Sequence, residues 1–204
     1  MNQFLRLIGA TLICLTTTHS HAVENTKITK SIRLAIPGDP LSCVIDLPDF
    51  TLNVHGMQQG GRLYVNANNE KTQIIVSAFL ERTNTTSNEC KSSLQAKAEA
   101  NKTEYKRKDI QMSRLGEMEI LEYIDQEIEG TKLDQKHVHA CLFKDGLYAD
   151  IHMSKGYFKP EDQALFTSVL ETIQFEENVK SSSDYFGAGS TYYFKQEFKQ
   201  AIEL

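Results

Sequence analysis

No apolar run in this chain approaches the about 20 residues that a helix needs to span a bilayer, so no membrane-spanning helix is expected once the leader described below is removed. Positive charge is also short. Lys and Arg number 22 against 27 Asp and Glu, a formal net charge of −5. The chain therefore lacks a global basic field for nucleic acid or anionic lipid, and Lys106–Lys108 is too brief a run to make up for it. Catalytic signatures are missing too: there is no Gly-x-Ser-x-Gly elbow and no Ser/His/Asp order. Gly56, Gly60 and Gly61 are not followed by Lys-Ser/Thr and a helix start, so they do not make a phosphate loop. What is present is ordinary for a globular protein. The chain is 40% hydrophobic and 24% charged, enough apolar material for a core and too much for wholesale disorder.

The first residues read as an address. Met1–Arg6 carries one cation, Leu7–Leu15 is an apolar stretch, and a polar run then ends with the small residues Ser20 and Ala22. That order fits a secretory signal peptide of residues 1–22, with Val23 as the mature N-terminus and a periplasmic or secreted destination. Ile13 before Cys14, where a lipoprotein site wants a small residue, argues against lipid attachment. Cys43, Cys90 and Cys141 survive cleavage. Three is odd, so at most one internal bridge forms and one thiol is left over. An oxidising compartment favours a bridge, and all three pairings stay open. A helix carrying Cys90 over a strand carrying Cys141 favours Cys90–Cys141; the alternative is three buried, inert thiols.

From residue 29 to residue 178 the periodicity predicts an α+β domain. Strands are expected at Ile32–Ile36, Cys43–Leu47, Thr51–His55, Arg62–Val65, Thr72–Leu80, Ile110–Ser113, Glu117–Ile124, His137–Phe143 and Leu147–Met153. Turns are expected at Pro37–Pro40, Gly60–Gly61, Asn66–Asn69 and Asp145–Gly146. Two stretches have helical spacing. Asn88–Tyr105 places Cys90, Leu94, Ala98, Asn101 and Tyr105 on one face, and Pro160–Ile173 opens with Pro and two acids before the stripe Leu165, Phe166, Val169, Leu170, Ile173.

One hairpin is legible in register. A two-residue Asp-Gly turn pairs Lys144 with Leu147, and hence Cys141 with Asp150 and His139 with His152. The same register sets Val138, Ala140 and Leu142 opposite Met153, Ile151 and Ala149, so turn chemistry and hydrophobic pattern agree. On the polar side, His139, Asp150 and His152 share one face with Cys141 beside Asp150 and His137 nearby. His and carboxylate on adjacent strands are ligands for zinc or copper. The plainer expectation is that they are structural hydrogen-bonding residues, with no cofactor and no catalytic residue in the chain. Glu117, Glu119 and Glu122 are expected on a solvated strand edge.

The tracts His137–Gly146 (HVHACLFKDG), Tyr148–Ser154 (YADIHMS), Lys159–Phe166 (KPEDQALF) and Val169–Ile173 (VLETI) resemble the end of a PsbP-like domain. The resemblance implies an antiparallel sheet flanked by helices, a last long helix before a short closing strand, and a non-catalytic accessory or binding role. Beyond the polar linker at Ser181–Asp184, Tyr185, Ala188–Gly189, Tyr192, Phe198 and Ala201–Ile202 resemble the opening of a tetratricopeptide repeat over residues 181–204, with Ala188 in place of the usual Leu. One incomplete repeat does not bury its own apolar face. Tyr185, Tyr192, Phe198 and Ile202 are therefore expected to meet a protein partner. The expected role is protein–protein interaction or envelope-complex assembly. The alternatives are a metal site or enzyme built on His139, Asp150 and His152, or a small ligand held in a cleft between sheet and helix.

Overall fold

The computed structural model describes residues 26–28, 30–58, 61–84 and 86–178. The leader at residues 1–22 and the segment 181–204, with Tyr185, Tyr192, Phe198 and Ile202, lie outside the described residues.

Alternation builds most of what is described. Leu63, Val65 and Ala67 are buried while Tyr64, Asn66 and Asn68 between them are half-exposed, the mark of a strand with one face on a core. The strands run β1 (Thr26–Lys27), β2 (Ser31–Ala35), β3 (Leu41–Asp46), β4 (Thr51–Met57), β5 (Leu63–Asn69) and β6 (Ile74–Arg82). Helix α1 (Ser87–Glu99) follows, then β7 (Lys108–Leu115), β8 (Met118–Ile128), β9 (Thr131–Lys144) and β10 (Leu147–Lys155). A 3-10 turn at Pro160–Asp162 leads into α2 (Gln163–Leu170), and β11 (Gln174–Glu177) closes the order. Eight strands form one antiparallel sheet in the order β1-β4-β5-β6-β10-β9-β8-β7, and β11-β3-β2 form a second.

The main core lies between the two sheets. Val65, Val76, Leu80, Ile120, Val138 and Ile151 of the large sheet meet Ile32, Leu34 and Ile45 of the small one, with Phe166, Val169 and Leu170 of α2 in the same cluster. The opposite face of the large sheet carries a smaller cluster, where Cys90, Leu94 and Ala98 of α1 cover Leu121, Tyr123 and Cys141. The chain closes on itself at residue 178: the Asn178 amide donates to the carbonyls of Asp39 and Leu41 at 2.8 and 3.0 Å.

Three expectations are corrected. Asn66–Asn69 continues β5, because Asn66 is held by Ser77 across the sheet at 2.9 Å, and the turn comes four residues later than expected, at Glu70–Gln73. There the Asn69 carboxamide accepts from the Lys71 and Thr72 amides, both at 3.0 Å, as turn asparagines do. Helix α1 stops at Glu99, because Ala100 turns extended at ψ 126° and Asn101 takes φ 56°; Asn101 and Tyr105 are off its face. Glu119 and Glu122 lie on β8, an inner strand, where Glu122 meets the buried Lys136 at 2.6 Å, not on a solvated edge.

Candidate functional site

The hairpin β9–β10 sets the site. Asp145 and Gly146 both take positive φ, 50° and 80°, as the type I′ turn that suits right-twisted strands requires. The register is the one read from the sequence, with Cys141 opposite Asp150 and His139 opposite His152. His137 lies one row on, opposite Ser154 and diagonal to His152. Next door on β8, Leu121 faces His139 and Tyr123 faces His137. Three imidazoles and a phenol are thus gathered on the sheet face that α1 partly covers.

The rings are nearly parallel. His139 and His152 stack, 4.2 Å apart between centroids and 6° from parallel; His137 lies edge to edge with His152, centroids 5.1 Å apart at 9°. Tyr123 stacks on His137 at 4.9 Å. Edge contacts join them: a ring nitrogen of His137 (Nδ1) lies 2.9 Å from Nε2 of His152, and the Tyr123 hydroxyl lies 3.0 Å from His139 Nε2. Two buried ring nitrogens, His137 Nε2 and His139 Nδ1, have no hydrogen-bond partner. A nitrogen from each of His137, His139 and His152 falls within 4.8 Å of the others.

Burial holds these rings neutral. It pushes His137 down to about 4, with the Asp125 carboxylate pulling the other way. It pushes His139 to about 2 and His152 to about 3, helped by the neighbouring rings and the Lys97 ammonium. Tyr123 is raised to about 12 by burial, the Arg107 charge opposing. The cluster is therefore a set of uncharged donors and acceptors near neutral pH.

A second layer fixes the cluster. Arg107 grips Asp125 through Nε and Nη2 at 2.7 and 3.1 Å. Its Nη1 donates to the Lys97 and Ala98 carbonyls at 2.6 and 3.0 Å, satisfying carbonyls that the end of α1 leaves open. The guanidinium sits 3.7 Å over the Tyr123 ring. Asp125 Oδ2 lies 3.6 Å from His137 Nε2.

Of the sequence-derived metal set, His139 and His152 are brought together and Asp150 is not. Its carboxylate turns to α1, where Lys97 Nζ donates to it at 2.7 Å. His137 takes its place. Cys90 and Cys141 form a disulfide that ties α1 to β9, and Cys43 is a buried thiol whose pKa burial pushes up to about 12. His137 was within reach of sequence reasoning, since diagonal neighbours across a hairpin also touch. Tyr123, Asp125 and Arg107 were not, because the β8–β9 register shifts at a bulge between Asp125 and Glu127.

Beyond the helix the same face lies open. Asn53 donates to Asn66 at 3.1 Å and Asn66 to Ser77 at 2.9 Å, and Ser77 is the register partner of His152. A polar line thus runs from β4 to the histidines, bordered by the Tyr64–Phe79 pair at 4.7 Å. Ile75 on this side is 45% exposed.

These features define an antiparallel α+β protein, two packed sheets with a disulfide-tethered helix over a buried histidine cluster. No family model and no curated protein matches the chain. Among solved structures it is similar to cyanobacterial PsbP (CyanoP) from Synechocystis sp. PCC 6803, at 12% identity and a TM-score of 0.46, over 74% of this chain and 94% of that one.

Proposed function

We propose that the chain is an exported, non-catalytic binding module that joins a protein partner in an envelope assembly. In this reading the described region is a PsbP-like sandwich, and residues 181–204 open a tetratricopeptide-type segment whose Tyr185, Tyr192, Phe198 and Ile202 meet the partner. One observation carries it: the carboxylates and cysteines on the covered face are already committed to holding that face together. Asp150 is taken by Lys97, Asp125 by Arg107 and Cys141 by Cys90. The disulfide supports an oxidising destination. The half-open face over β4–β6, with Tyr64 and Phe79, offers a second surface of the kind that partners cover.

The test compares the full chain with one ending at Asn178, each cross-linked in the envelope of its host and each melted after purification. The expected result is a partner of fixed stoichiometry held by the full chain and lost by the shorter one, a mature N-terminus at Val23, and matching melting temperatures. A fall of more than about 8 °C on shortening, about 2–3 kcal/mol for a domain of this size, would make the segment part of the core. Retention of the partner by the shorter chain would also sink the reading.

A further inference from the structure

We propose that His137, His139 and His152 bind one divalent transition ion of the zinc or copper class. All-imidazole sets suit Zn2+ and Cu2+, where carboxylate and carbonyl oxygens would suit Mg2+ or Ca2+. Around a tetrahedral ion with bonds of about 2.0–2.1 Å, ligand nitrogens stand closer together than the 4.8 Å that bounds this cluster, so modest rotations bring the three into range. The rings stand nearly parallel, and no single ion lies in the plane of all three. Ligation therefore turns one or two rings about the Cβ–Cγ bond and exchanges the His137–His152 contact for bonds to metal, while His139 Nε2 keeps its contact with the Tyr123 hydroxyl.

The surroundings favour that exchange. If His152 Nε2 carries the hydrogen of the 2.9 Å contact, His137 Nδ1 presents a lone pair into the cluster and Nε2–H faces Asp125. The opposite tautomer would set a lone pair against that carboxylate. Histidine ligands commonly donate their outer N–H to a carboxylate, which fixes the ring and raises its basicity. Asp125 stands ready for this at 3.6 Å, held by Arg107. His139 Nδ1 is buried without a partner, an orphan that a metal bond would satisfy. Entry is from the open half of the face, past Ser77, which borders His152.

The experiment titrates the full, oxidised chain with Zn2+ and with Cu2+ after EDTA treatment and dialysis. Uptake is read by isothermal calorimetry and by emission of tyrosine, the protein having no tryptophan. One equivalent should bind, with a rise in melting temperature and a change in tyrosine emission as His139, hydrogen-bonded to the Tyr123 hydroxyl, takes on a cation. His139→Gln and His152→Gln should each weaken binding by more than about 100-fold, beyond the 10–100-fold typical of losing an outer hydrogen-bond partner. His55→Gln should leave it unchanged. The wild-type titration decides the matter even if a cluster variant does not fold. Absence of uptake by the wild type, or uptake that survives both cluster substitutions, overturns the proposal.

Discussion

Replacing Arg107 with Met tests how the helix-covered half of the sheet is held. Both Arg107 and Asp125 have side chains only 4% exposed, and Met keeps most of the length and packing while removing the charge. Breaking a buried pair by removing one partner costs about 3–5 kcal/mol, chiefly because the other charge is stranded. The Lys97 and Ala98 carbonyls lose their shared donor, about 1 kcal/mol each. The lost cation contact with the Tyr123 ring adds about 1 kcal/mol. These terms overlap, and the stranded carboxylate relaxes by taking up a proton, so the expected net loss is about 4–5 kcal/mol at pH 7.5. That is a large share of the 5–15 kcal/mol typical of a domain, by order of magnitude.

The proton supplies the signature. In Arg107→Met the buried Asp125 carboxyl has its folded pKa raised above the unfolded value by burial without a cation. Between those two values the folded variant binds more protons than the unfolded one, so its deficit against wild type shrinks as pH falls and is greatest above the raised pKa. The assay is urea unfolding of both proteins followed by far-ultraviolet circular dichroism, repeated from pH 7.5 to pH 5. Adding Asp125→Leu to Arg107→Met should recover most of the loss, since apolar replacement of a whole buried pair is often neutral. A deficit under about 1 kcal/mol at pH 7.5, or one that does not move with pH, would refute the reasoning.

Reduction of Cys90–Cys141, which closes 51 residues of chain, should cost about 4 kcal/mol on the chain-entropy relation. Urea unfolding with and without dithiothreitol measures it, and a shift under about 1 kcal/mol would mean that Leu94 and Ala98 alone seat α1. In EDTA-treated wild type, burial lowers His137, His139 and His152 from 6.5 to about 4, 2 and 3. The unfolded chain therefore binds the extra protons below 6.5. Stability should be full above that pH and fall on acidification, with about 2 kcal/mol lost at pH 5 for each ring that stays neutral when folded. A melting temperature that is flat from pH 7 to pH 5 would contradict this.

The hairpin could be read from the sequence because two local signals, an Asp-Gly turn and alternating apolar residues, specify the same register. The helix expected over residues 160–173 forms as a 3-10 turn and the shorter α2, Gln163–Leu170, whose buried residues Phe166, Val169 and Leu170 belong to the stripe read from the sequence. The site was only half legible. His139 and His152 follow from the hairpin, but Asp150 shares their face and differs in its partner, a lysine on a distant helix that no local pattern announces. Arg107 is one of three cations in the short run Lys106–Lys108, and its guanidinium meets the last carbonyls of α1. Its grip on Asp125 depends on the β8–β9 register, which the bulge near Asp125 hides.

The path of α1 also bears on how the chain reaches this state. It leaves β6 and delivers the chain to β7 at the far edge of the sheet, with β10, β9 and β8 lying between. Strands β4–β5–β6 form one meander and β7–β8–β9–β10 another, each pairing neighbours in sequence. The seam between β6 and β10, which sets Arg82 against Leu147, is the joint that unites them and the pairing with the longest loop to close in this sheet. Local pairings form early and long closures late, so two independent folding units should appear first and their docking should set the rate. Cys90 precedes the second unit, on α1, and Cys141 lies inside it, on β9. An oxidised chain begins refolding with that unit already looped toward α1, whereas a reduced chain must find the arrangement unaided.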